Sequence, residues 1–229
     1  MPSPRPADRS GLLESAFKPN ADASWIWTLA QREPGQVAQR LAEHDSIHLQ
    51  AGTALRLRER FQILDSERVF RKACVLVALG AAETSGDPPP EESMRAWFEE
   101  RIDDAVRDCL DADEMAQRDG LPCAEDLAHY EFFTKTCFVI PENSLFVSLN
   151  FNRLPEDCRR SFFALFIDHC SVAEALEMGL GPEDRLRDNA RRALDAAAGI
   201  DPRAPSWRDV QDDTIGPWWA QEDAFDGAP

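Results

Sequence analysis

The stretch LPEDCRRSFFALFIDHCSVAEALEMGLGPEDRLRDNARRAL, residues Leu154–Leu194, decides how this chain is read. Pro155 followed by Glu156 and Asp157 suits a helix start. Proline lacks only a donor that the first turn leaves unpaired, and carboxylates favour the positive end of the helix dipole. Cys158, Phe162, Leu165, Phe166 and His169 then recur at helical spacing as one broad apolar stripe. Ser171 and Glu174 have the spacing of a capping box, which predicts a short second helix carrying Val172, Ala175 and Leu176 inward. Gly179 is placed to stop it, and Pro182 to open a third helix with Leu186, Ala190, Ala193 and Leu194 on its buried side. Helices in such quick succession, the last two joined by a glycine-containing turn, outline a helix-turn-helix unit over 153–198.

Upstream, 127–152 forms a connector. FFTKTCFVI is rich in β-branched and aromatic residues, Pro141, Glu142 and Asn143 resemble a turn, and Leu145, Val147, Leu149 and Phe151 alternate with Phe146, Ser148, Asn150 and Asn152. This pattern predicts a small β-hairpin, with a helix leading into Leu154 and Pro155 as the alternative. Earlier still, Met94, Trp97, Phe98, Ile102, Val106 and Leu110 mark one face of a helix over Glu91–Asp111, its other face densely acidic. A solvated charged face is the plain structural reading of those acids.

The prolines of TSGDPPP, 84–90, break the chain ahead of that helix. Before the break, Asp65 or Ser66 can cap a central helix bearing Val69, Phe70, Ala73, Cys74 and Val77, which is expected to end near Gly80. Another helix is predicted from about Thr53 with Leu57, Phe61 and Leu64 on one side, and one from Pro34 with Val37 and Leu41. Trp25, Ile26, Trp27 and Leu29 form a short apolar cluster able to dock on the core. The expected organisation is mainly α: a loose arm at 1–22, a helical domain at 23–126, the connector, the carboxy-terminal three-helix unit, and an acidic tail with Trp and Pro at 199–229.

The segment Leu154–Leu194 resembles region 4 of bacterial sigma factors, particularly the extracytoplasmic-function group. That region reads as a Leu-Pro-Glu start, a hydrophobic helix, a Ser-x-x-Glu helix onset, a glycine turn and an Arg-rich helix. MRAWFEERIDDAVRDCL, Met94–Leu110, is similar to the Arg-Ala-Trp helix of sigma region 2, with Arg95, Trp97, Phe98 and Arg101 at the matching positions. The resemblance implies a non-catalytic transcription protein whose partners are core RNA polymerase and promoter DNA. It makes Arg185, Arg187, Arg191 and Arg192 candidate DNA contacts, supported by Arg159 and Arg160, because a recognition helix must offer donors to phosphates and base edges. On the residues alone, Asp184, Asp188 and Asp195 lie within pairing distance of those arginines, so intrahelical ion pairs compete with DNA for them. Sigma region 2 also carries a basic, aromatic melting helix, whereas the helix here holds Glu99, Glu100, Asp103, Asp104 and Asp108. An adaptor or sigma mimic that binds a regulatory protein partner without DNA is therefore the alternative.

Composition bounds the function classes. The 229 residues carry Lys+Arg 25 against Asp+Glu 42, a formal net charge of −17, and a 43% hydrophobic content able to build a core. Residues 82–126 alone contribute −11, a field that opposes nucleic acid and favours basic protein surfaces. No run suffices to cross a bilayer and Met1–Arg9 lacks a signal peptide's apolar stretch, so a soluble, cytoplasmic protein is expected. Six scattered cysteines without a C-x-x-C pair suggest buried thiols rather than disulfides. His44 and His48 are four apart, but no third ligand follows at a motif-like distance, so no metal site is expected. His169-Cys170 and the acidic cluster lack the context of a nucleophile or an acid–base pair. With no phosphate-binding glycine loop, no G-x-S-x-G elbow and only Lys18, Lys72 and Lys135 as lysines, no catalytic role and no cofactor is expected.

Overall fold

A computed structural model describes residues 17, 23–84, 88–118 and 144–197, and the architecture is mainly helical. The helices are α1 Ser24–Ala30, α2 Pro34–His44, α3 Leu49–Glu59, α4 Ser66–Glu83, α5 Glu91–Arg118, α6 Ser144–Asn152, α7 Glu156–Phe162, α8 Val172–Glu177 and α9 Glu183–Ala197. A π-helical turn, Phe163–Ile167, continues α7.

Two apolar cores organise these elements. In the first, α4 lies at the centre and touches α1, α2, α3 and α5. Ile26, Trp27, Val37, Leu41, Val69, Val77, Phe98 and Ile102 fill it. Trp27 meets Trp97 at 5.3 Å between ring centres and Phe98 edge-on at 6.0 Å, so the short Trp25–Leu29 cluster does dock. Asp65, not Ser66, caps α4, its carboxylate accepting from the amides of Glu67 and Arg68. Gly80 does not end this helix, which runs on to Glu83. A Cβ at Gly80 would sit 3.2 Å from the Trp97 ring, so the missing side chain serves close packing of α4 on α5. Phe17, inside the expected loose arm, is itself buried in this core beside Gly52.

The acidic face of α5 is only partly solvated. Asp103 pairs with Arg56 and Arg60, Asp108 with Lys72, and Asp113, 2% exposed, with Arg68. These pairs hold α5 against α3 and α4. The helix also extends past Asp111 to Arg118.

Two further expectations change in this half. The third helix starts at Leu49 rather than Thr53 and stops at Glu59, so Phe61 and Leu64 lie beyond it. Asp45 starts it by accepting from the amides of Leu49 and Gln50. His44 closes α2 and His48 stands in a left-handed conformation before α3, so the two imidazoles do not share a helical face.

The second core joins α6, α7 and α9 through Val147, Leu149, Phe151, Phe162, Phe166, Ala190 and Ala193. Here the hairpin expectation meets a correction: Ser144–Asn152 is helical, while 132–143 lies outside the described residues. Leu145, Val147, Ser148, Leu149 and Phe151 are all buried, and a segment covered on several sides carries no diagnostic period. The α7 stripe also ends earlier than expected. Phe162, Phe163 and Phe166 point inward, but His169 is exposed with φ 54°, past the π turn. The arm over 1–16 and the tail from 199 lie outside the described residues, as does Cys123.

Candidate functional site

The surface built by α7, α8 and α9 follows closely from its local sequence. Ser171 Oγ accepts from the Glu174 amide at 3.2 Å while the Glu174 carboxylate accepts from the Ser171 amide at 2.8 Å, closing the capping box. At the other end, the Gly179 amide donates to Leu176 and the Leu180 amide to Ala175, with Gly179 at φ 75°. This paired closure demands a left-handed residue, which glycine supplies without a Cβ clash. The chain then turns through Gly181 and Pro182 into α9. Leu186, Ala190 and Ala193 are fully buried there, and Leu194 packs partly.

The arginines of the helix surface fall into three groups. Arg185 reaches across to Asp157 of α7 at 2.8 Å, and Arg187 pairs with Glu183 along α9 at 2.7 Å. Arg160 and Arg185 line an open notch of about 200 Å³ together with Asp157, Ser161 and the Gly179–Gly181 turn. Arg191 is exposed and Arg192 half-buried, and neither makes an ion pair among the described residues. Arg159 is partly buried. Its Nε and Nη1 are buried without an acceptor, and burial, with the nearby Arg60 charge adding to it against Glu156, lowers its pKa.

Chemically, this surface is a mixed-charge face, not a basic stripe. Glu183, Asp184, Asp188 and Asp195 balance the four arginines of α9. Exposed ion pairs contribute only about 0–1 kcal/mol, so the Arg185–Asp157 pair adds little to stability.

No family model matches this chain, and no match is found among curated proteins or solved structures.

The residues matched to sigma region 2 serve the first core. Phe98 is fully buried, Trp97 packs on both Trp27 and Phe98, and Arg101 stands over Trp97 while pairing with Glu100 and Asp104. Arg95 pairs with Glu99 and reaches over Phe17. These four side chains therefore brace α5 on the first core. Among the described residues no group of acidic, histidine and cysteine side chains is arranged to hold a metal. Burial pushes the Cys74 thiol up to about 12 and raises Cys109, Cys158 and Cys170, which leaves them protonated near neutral pH rather than nucleophilic. No described helix is long and apolar enough to cross a membrane.

Sequence reasoning missed a polar junction between the two cores. Asn152 and Ser148, four apart on α6, both reach the backbone of Ile63, and Arg58 pairs with Asp168. The signal was present: two polar residues at helical spacing inside an otherwise apolar run.

Proposed function

We propose that this chain is a divergent sigma-factor-like transcription protein. It acts without catalysis in the cytoplasm, binds core RNA polymerase, and presents α7–α9 toward promoter DNA as a helix-turn-helix unit. The observation that supports this reading is the α8–α9 junction. A capped short helix, a left-handed glycine and an arginine-bearing helix with Leu186, Ala190 and Ala193 inside follow one another in the order of sigma region 4.

The test is co-purification with core polymerase together with promoter-specific transcription in a reconstituted assay. Both are expected, and absence of both removes the reading.

One observation favours a second reading, an adaptor that binds polymerase or a regulatory protein without DNA. Arg185 and Arg187 already hold carboxylate partners, and α9 has no net charge. Replacing Arg185, Arg187, Arg191 and Arg192 together by Ala separates the two. Transcription lost with polymerase binding retained supports the DNA-reading version, and both retained supports the adaptor.

A further inference from the structure

The loop between α3 and α4 is where the two cores meet. The Ile63 amide donates to Oδ1 of Asn152 at 3.0 Å. Its carbonyl accepts from Asn152 Nδ2 at 2.9 Å and from Ser148 Oγ at 3.0 Å. One side-chain amide thus satisfies both polar groups of a single backbone residue, as a neighbouring strand would. Arg58 with Asp168, and Arg153 with Glu114 at 3.1 Å, flank this clasp, and Phe61 lies edge-on to Phe163 at 5.6 Å.

Unfavourable features sit at the same junction. Phe61 is held at φ 52°, a conformation that bulky side chains seldom adopt. Arg159 has two buried donors without an acceptor and senses Arg60, a like charge from the other core. An apolar side chain in place of Arg159 would suit this closed arrangement better, since unpaired buried donors are rare and destabilising. Arg160, next in sequence, stands over the Phe61 ring at 6.0 Å.

We propose that the Ile63 junction is a self-covering latch. Closed, it withholds Nε and Nη1 of Arg159 beside the already exposed Arg160. Opened, it extends the Arg185–Arg160 notch by Arg159 into a strip that grips a phosphodiester backbone. Guanidinium donors match phosphate oxygens two at a time, which gives the open state an acceptor that the closed state lacks. The inference rests on the transcription reading only for naming nucleic acid as the polyanion.

The experiment uses the full chain and two readouts: hydrogen exchange at the Ile63 amide, and binding to random-sequence duplex DNA at low salt. Asn152→Ala is expected to speed Ile63 exchange and to tighten duplex binding by about tenfold, with a steeper salt dependence. Adding Arg159→Gln to Asn152→Ala is expected to remove that gain. Asn152→Asp, which keeps an acceptor for the Ile63 amide but loses the donor to its carbonyl, gives a milder opening should the alanine variant fold poorly, and is expected to move both readouts in the same direction.

The latch is overturned if exchange at Ile63 accelerates while duplex affinity stays at the wild-type value, if the gain survives loss of Arg159, or if neither Asn152 variant changes Ile63 exchange. Polymerase binding is measured separately. Its absence together with absence of promoter-specific transcription, with the duplex response intact, removes the transcription reading and leaves the latch standing.

Discussion

Phe61 occupies a position that helix ends usually give to glycine. The amides of Phe61 and Gln62 close α3 by donating back to Arg58 and Leu57, and this closure requires the left-handed backbone that Phe61 adopts. The Phe61 ring packs on Phe163 in the second core, a contact that glycine could not make. Two substitutions separate these effects. Phe61→Ala loses the ring and keeps the strained backbone, an expected loss of about 2–3 kcal/mol. Phe61→Gly loses the same ring but relieves the backbone, so it should be the more stable of the two by about 1 kcal/mol in denaturant titration. Asp113 makes a second residue-scale test. It is almost wholly buried against Arg68, and truncation removes this ion pair. Asp113→Ala is expected to destabilise by about 2–3 kcal/mol, somewhat below a fully buried pair because Arg68 keeps partial contact with water.

At the element scale, α8 is six residues long and depends on its ends. So short a helix gains little from propagation, and its caps carry a large share of its stability. Ser171→Ala is expected to lower stability by about 1 kcal/mol, and in a double-mutant cycle with Glu174→Ala the two losses should be less than additive, since each side chain closes one half of the box. Thermal melts of the two single variants and the double variant check this.

The helices differ in how plainly their sequences announce them. The box at Ser171, the stop at Gly179 and the start at Pro182 were legible because capping chemistry is local, acting over a single turn. α6 was not, because its apolar residues other than Phe146 are buried and alternate by accident. Only Ser148 and Asn152, meeting one backbone residue from 85 and 89 positions away, express the helical spacing.

Across the whole molecule, charge is arranged rather than merely abundant. Acids that look like a solvated face in α5 lock α5 to α3 and α4, so the net −17 overstates how much anionic surface is free for a partner. Asp195 on α9 has the opposite character. Burial raises its pKa, with Asp188 adding to the shift and Arg191 opposing it. Between its ordinary value and that raised value the folded state holds a proton the unfolded state has released. This group therefore contributes most stability in acid and loses it as pH rises through the window. Asp195→Asn is expected to raise the melting temperature at neutral pH, with the difference closing as pH falls below the carboxylate range.

Local pattern was enough to establish a mainly helical protein, the breaks between its central helices, and the capped turn ahead of an arginine-bearing helix. Those features depend on residues within a few positions of one another, and each is set by backbone groups that must find a nearby partner. What the tertiary structure decided is which charges remain available. Arg159 turned inward, Arg185 took Asp157, Trp97 and Phe98 became core, and Ile63 became the point where two cores clasp. Such outcomes depend on side chains brought together from distant positions, and burial and pairing of that kind leave no period in a one-dimensional sequence.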